Sequence, residues 1–188
     1  MIECTHGMPR AGMAWRHVII STYRAWLPGD KRGWRSRDHR VHNSGDYKRP
    51  PPTDEHEGLR EYNQNLGGKA VRISAPCRGV IGETILSELW KSEYAVLVVA
   101  VSATHAHMLI ELPIPTASVR KIIGTCKAKS SLAVRHQLPG RVWAARGKYL
   151  PVKNRAHLIE AFKYIRDKQG PGVWVWTDPR IISSTRKR

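Results

Sequence analysis

The sequence predicts an α+β domain built on a ferredoxin-like four-stranded antiparallel sheet, with helices on one face and a further helix towards the C-terminus. Three observations predict it. β-branched or apolar runs at 17–23, 94–102 and 105–112 are interspersed with stretches at 79–91, 116–134 and 154–169 whose apolar residues recur at helical spacing. The second and third runs are separated only by Ala103 and Thr104, too short for a crossover, so they must be antiparallel neighbours. A chain of 188 residues with 41% apolar content supports one core rather than two.

Residues 17–23 (HVIISTY) form the first strand. Composition then changes: about 24–78 holds Pro28, Gly29, Asn43, Gly45, the triplet Pro50, Pro51 and Pro52, and Gly67 and Gly68, with few aliphatics, and reads as a long loop insertion. Ile81, Ile85 and Leu89, with Leu86 and Trp90 beside them, mark the first helix. Residues 94–102 (YAVLVVAVS) are apolar throughout, as a strand covered on both faces would be. After Pro113 and Pro115, Thr116 is placed to cap a helix carrying Val119, Ile122, Ile123, Cys126, Ala133 and Val134 on its apolar stripe. Pro139 and Gly140 end it, and 141–152 reads as the fourth strand. Asn154 caps the final helix, which Gly170, Pro171 and Gly172 terminate, and 173–176 is placed to add an edge strand. The organisation expected is an N-terminal arm at 1–16, one domain at 17–177 with its insertion, and a mobile basic tail at 178–188.

Charge narrows the partners. Lys and Arg total 32 against 15 Asp and Glu, a formal net charge of +17. Such a field raises the encounter rate with polyanions, which places nucleic acid first and an anionic membrane surface second. No apolar run is long enough to span a membrane, and the first fifteen residues lack a signal-peptide core. The three cysteines, Cys4, Cys77 and Cys126, have no metal-ligand spacing and read as free thiols of a reducing compartment. The expected location is cytoplasmic, associated with the nucleoid.

The chemistry centres on 105–112 (HAHMLIEL). Strand alternation puts His105, His107, Leu109 and Glu111 on one face and Ala106, Met108, Ile110 and Leu112 on the other. Two imidazoles then converge on one point, with the apolar face against helices and the histidine face left open to hold a divalent cation. On the 116–134 helix, Arg120, Lys121, Lys127, Lys129 and Arg135 lie largely off the apolar stripe, suited either to DNA phosphates or to plain solvation. On the last helix Leu158, Ala161, Phe162 and Ile165 form the stripe, and Tyr164 lies about 120° from Leu158 among Glu160, Asp167 and Lys168.

These features taken in order resemble the single-tyrosine HUH transposases, both the insertion-sequence enzymes and the REP-associated tyrosine transposases. The likeness rests on the His-x-His strand after a buried strand, the basic helix, the 142–149 segment (VWAARGKY) and the helix carrying Phe162, Lys163, Tyr164 and Ile165. It covers 17–23 and 79–169. It implies that His105 and His107 bind Mg2+ or Mn2+ and that Tyr164 attacks a phosphodiester of single-stranded, hairpin-forming DNA. The products would be a 5′-phosphotyrosine and a free 3′-hydroxyl, which lets another 3′-hydroxyl rejoin the DNA without ATP. One catalytic tyrosine per chain handles one strand at a time, which suits paired subunits, as a homodimer, or successive cleavages.

Two histidines alone do not suit hard Mg2+, so an oxygen ligand is expected. Relatives carry Gln or Asn four residues after the tyrosine, where this chain has Lys168. Asp167 is the expected third metal ligand, with Glu160 near it and Glu111 or water as alternatives; Gln169 falls towards the apolar stripe if the helix is ideal. Lys168 is expected to contact phosphate or to lower the tyrosine pKa. A rival reading is a non-catalytic single-stranded nucleic-acid binder that stacks bases on Trp26, Trp34, Trp143, Trp174 and Trp176. A zinc nuclease using His39, His42 and His56 lacks partners at zinc spacing, and a phosphoesterase would need paired His-x-Thr motifs, of which none is present.

Overall fold

The computed structural model of the protein describes residues 8–30, 34, 44, 52, 54–67 and 69–182. Residues 1–7 of the N-terminal arm, much of the insertion including His39 and His42, and the end of the basic tail therefore lie outside the described residues. The chain runs β1 (Met13–Thr22), α1 (Glu57–Asn65), α2 (Ala75–Lys91), β2 (Val96–Val101), β3 (His105–Pro113), α3 (Thr116–Ala133), β4 (Trp143–Pro151), α4 (Arg155–Asp167), β5 (Trp174–Thr177) and α5 (Pro179–Ile182).

One antiparallel sheet takes the order β4-β1-β3-β2-β5. Its first four strands have the split β-α-β order the sequence predicts, and the 174–177 segment adds a fifth at the β2 edge. β2 is buried along its whole length because strands flank it and both its faces are covered.

Helices cover both faces, where one was expected. Ala106, Met108, Ile110 and Leu112 of β3, with Val18 and Ile20 of β1, pack under α2 and α3 through Ile81, Ile85, Leu89, Val119 and Ile123. The other face is not open: Leu158, Ala161, Phe162 and Ile165 of α4 close over Trp15, Leu97, Val98, Ala100 and Leu109. Leu109 is the reason, since an apolar side chain between His107 and Glu111 on the polar face supplies a patch that the α4 stripe buries. At the start of α4 the Asn154 side chain accepts from the His157 amide at 2.9 Å, as a capping asparagine should. Thr116 does not cap α3; Pro115 occupies that position, and Thr116 is the first helical residue.

Two short helices are additions to the expected layout, α1 inside the insertion and α5 in the segment read as a tail. The insertion leaves the sheet at Thr22 and returns at Val71, whose carbonyl accepts from Thr22 Oγ1 at 2.7 Å; Thr22 N in turn bonds Thr104 O at 2.8 Å. The insertion is thereby fastened to the end of the sheet that carries the β2–β3 turn.

Gly82 of α2 lets β5 approach. A Cβ there would meet the Trp174 ring at 2.0 Å. Gly82→Ala is expected to displace Trp174 and lower the urea midpoint by the equivalent of about 1–3 kcal/mol. Gly124→Ala on α3, where a Cβ would meet nothing within 4 Å, is the matched control and is expected to raise it.

Candidate active site

β1 and β3 bring together residues far apart in the chain. Their register pairs Ile19 with His107 and His17 with Leu109, so His17 and His107 are diagonal neighbours on one face. His17 Nε2 lies 2.8 Å from His107 Nδ1, with the rings 5.0 Å apart. Both are buried, at 9% and 5% exposure. His107 also stands edge-on to His105, ring centres 4.8 Å apart. His105 Nδ1 lies 3.1 Å from both Ser102 Oγ and Thr104 Oγ1. Each histidine of the pair thus has Nδ1 engaged, which leaves Nε2 to face outward chemistry.

α4 carries Tyr164 over this cluster. Its ring centre is 5.7 Å from that of His107 and 6.1 Å from that of His17, and the side chain is 47% exposed. A tyrosine open to solvent on one side and set against buried imidazoles on the other is placed to meet a large substrate.

The third ligand expected from the sequence is displaced. Asp167 is the last residue of α4, and its carboxylate is taken at 2.7 and 2.8 Å by Arg166 Nε and Nη2. That bond, and then the Arg166 charge, holds the Asp167 pKa below the usual carboxylate range. Glu111 is likewise occupied, its carboxylate accepting from Arg10 Nε at 2.7 Å. Gln169 reaches the histidines instead: its Oε1 lies 3.3 Å from His105 Nε2, and its Nε2 donates to Tyr164 O at 3.0 Å. Because α4 ends at Asp167, Gln169 leaves the 100° spiral that would have aimed it at the apolar stripe and folds back over the helix end.

No group of three or more His, Cys, Asp or Glu among the described residues is disposed to hold a metal ion. Two imidazole nitrogens plus an amide oxygen nevertheless make a donor set of the right kind. At metal bond lengths of about 2.1 Å, adjacent octahedral ligands stand about 3 Å apart, close to the His105–Gln169 separation of 3.3 Å.

Burial drives the His107 pKa down to about 3, with the neighbouring His105 and His17 adding to the effect, and burial followed by His157 lowers that of His17. The folded state therefore holds His107 neutral where the unfolded chain would bind a proton, and stability is lost as pH falls from about 6.5 towards 3. In chelator-treated protein the urea midpoint is expected to drop between pH 7.5 and pH 5; an unchanged midpoint would contradict the burial of a neutral imidazole.

The basic residues divide between the two faces. Arg120, Lys121, Lys129 and Arg135 are exposed on or just beyond α3, across the sheet from Tyr164. Lys127 is turned inward, its ammonium donating to Ala144 O and Ala145 O, and burial lowers its pKa. Lys168 sits at the exposed end of the tyrosine helix. Beside Thr104, the insertion forms a groove of about 1040 Å3 of mixed charge, lined by Arg24, Arg60, Lys69 and Arg72 and by the carboxylates of Asp30, Asp54 and Glu57. Of the proposed stacking tryptophans, Trp34 and Trp143 are buried, the latter donating to Ser130 Oγ at 3.0 Å, and Trp174 and Trp176 pack on the core. Trp26 is exposed.

Fold and site define an α+β protein with a tyrosine poised over a histidine pair on a five-stranded sheet. No family model and no curated protein matches the sequence. Among solved structures the chain is similar to a REP-associated tyrosine transposase bound to a REP hairpin, at 13% identity, covering 88% of this chain and 70% of that one, with a TM-score of 0.43. A likeness that distant does not bear on chemistry, which is read from the side chains. No helix among the described residues is long and apolar enough to cross a membrane.

Proposed function

We propose that the protein nicks and rejoins single-stranded, hairpin-forming DNA through a covalent 5′-phosphotyrosine, with Tyr164 as nucleophile. The observation that carries this reading is the convergence of Tyr164 from α4 with His105 and His107 from β3 on one sheet face. The net charge of +17 supplies the attraction for a polyanion.

His105 Nε2, His107 Nε2 and Gln169 Oε1 would hold the divalent cation, and their nitrogen content suits Mn2+ better than Mg2+. When bound there, such a cation supplies positive charge against the non-bridging oxygens of the scissile phosphate. Tyr164 loses its proton, its phenolate oxygen bonds to phosphorus, and the bond from phosphorus to the 3′-oxygen breaks. That oxygen takes up a proton and leaves as a 3′-hydroxyl. A phenol with pKa near 10 is ionised in only about one molecule in a thousand at pH 7, so positive charge beside it matters. We assign that charge to Lys168, four residues after Tyr164 at the helix end.

The test is a denaturing gel of protein incubated with labelled single-stranded hairpins and Mn2+. A slow-migrating covalent band that disappears with EDTA is expected. Tight binding that survives EDTA, with no such band, would replace the enzyme by a non-catalytic binding module. Mass measurement of the undenatured complex reports whether a homodimer forms on the DNA.

A further inference from the structure

His17 stands next to the proposed centre without belonging to the residues that would hold the cation. A neutral imidazole has one N–H and one bare nitrogen. With His17 Nε2 and His107 Nδ1 at 2.8 Å, only one of them carries the shared proton. If His107 binds through Nε2, its proton is on Nδ1, His17 Nε2 is the acceptor, and the proton of His17 itself is on Nδ1. The alternative arrangement, with His17 donating, puts the His107 proton on Nε2 and blocks that nitrogen.

We propose that His17 is a positioning residue: it accepts the Nδ1 proton of His107 and so fixes both the tautomer and the ring orientation that present His107 Nε2 to a divalent cation. The inference rests on the metal-centred reading of the site. Strand pairing makes the arrangement rigid, since the β1–β3 register sets the diagonal between the two rings and both are buried. His105 is served differently. Its Nδ1 meets two hydroxyls, Ser102 and Thr104, which can donate or accept and so adapt to either tautomer. Among the described residues, His107 Nδ1 meets His17 alone.

The full-length protein, without DNA, is titrated with Mn2+ and the free ion is read by its electron paramagnetic resonance signal at pH 7.5. His17→Leu is expected to weaken Mn2+ binding about 10–100-fold, as loss of such partners typically does, while His17→Gln, which keeps an acceptor, recovers most of it. On the unaltered protein loaded with Zn2+, nitrogen-15 NMR is expected to show His107 protonated at Nδ1 and His17 bare at Nε2, so the inference stays testable if the leucine variant does not fold. Wild-type affinity in His17→Leu, a His17 found protonated at Nε2, or the loss of one histidine nitrogen coupling to the metal in that variant would each overturn it, the last by making His17 a ligand. If the wild-type protein binds no Mn2+, the metal-centred reading itself fails and takes this role with it. That outcome is distinct, because every variant then behaves alike.

Discussion

Tyr164→Phe is expected to abolish the covalent protein–DNA band and leave binding intact. The substitution removes one oxygen from a side chain that is 47% exposed, so neither packing nor folding depends on it, and stability should stay within about 0.5 kcal/mol. The ring keeps its edge contacts with His107 and His17. What disappears is the proposed nucleophile, and since a nucleophile acts as a unit with its surroundings, the loss should be on the order of 10⁴-fold or more. Affinity for single-stranded DNA and its decline with salt should match wild type, because these depend on lysines and arginines rather than the phenol. A covalent band of normal intensity in the variant would assign the attack to another residue.

Phe162→Ala tests the scaffold that aims Tyr164. Phe162 is 1% exposed and packs with Leu158, Ile165, Leu97 and Leu109, while Arg166 lies over its ring at 5.4 Å. Truncating a buried phenylalanine costs about 3–5 kcal/mol, a large part of the 5–15 kcal/mol that holds a typical domain together. The expected result is a urea midpoint lowered by that amount and loss of the covalent band, because α4 no longer seats on the sheet. Phe162→Leu, which keeps most of the volume, should retain both to a large degree. A loss below about 1 kcal/mol for the alanine variant would mean that α4 is held by something other than its apolar stripe.

Most strands and helices were legible because each buries a face whose period shows in the sequence: period two in 105–112, helical spacing in 79–91 and 154–169. The second covered face was not, although Leu109 between His107 and Glu111 was its trace. Alternation put His105 and His107 on one face and helix position put Tyr164 off its apolar stripe, but only the resemblance of the whole order of elements to a known family joined the three into one candidate site. His17 could not be read from spacing, since its partner lies 90 residues away and meets it only through strand register. Its place on the same alternation as Ile19, the partner of His107, was the available signal. Gln169 was misdirected by a helix extended in ideal form past its true end, a matter of one or two residues that decides which way a side chain faces. The insertion resisted reading because α1 has no buried residue and so leaves no apolar period of the kind that reveals a core helix.

The chain order around α4 limits how the tyrosine can move. β4 and β5, the elements before and after it, are opposite edges of the same sheet. The helix is therefore sewn down at both ends, on one side by the pairing of β4 with β1 and on the other by that of β5 with β2. Handing α4 to a second subunit would require an edge strand to unzip and Trp174 to leave its seat against Gly82. Within the chain described, Tyr164 is thus held over its own sheet by two paired edge strands.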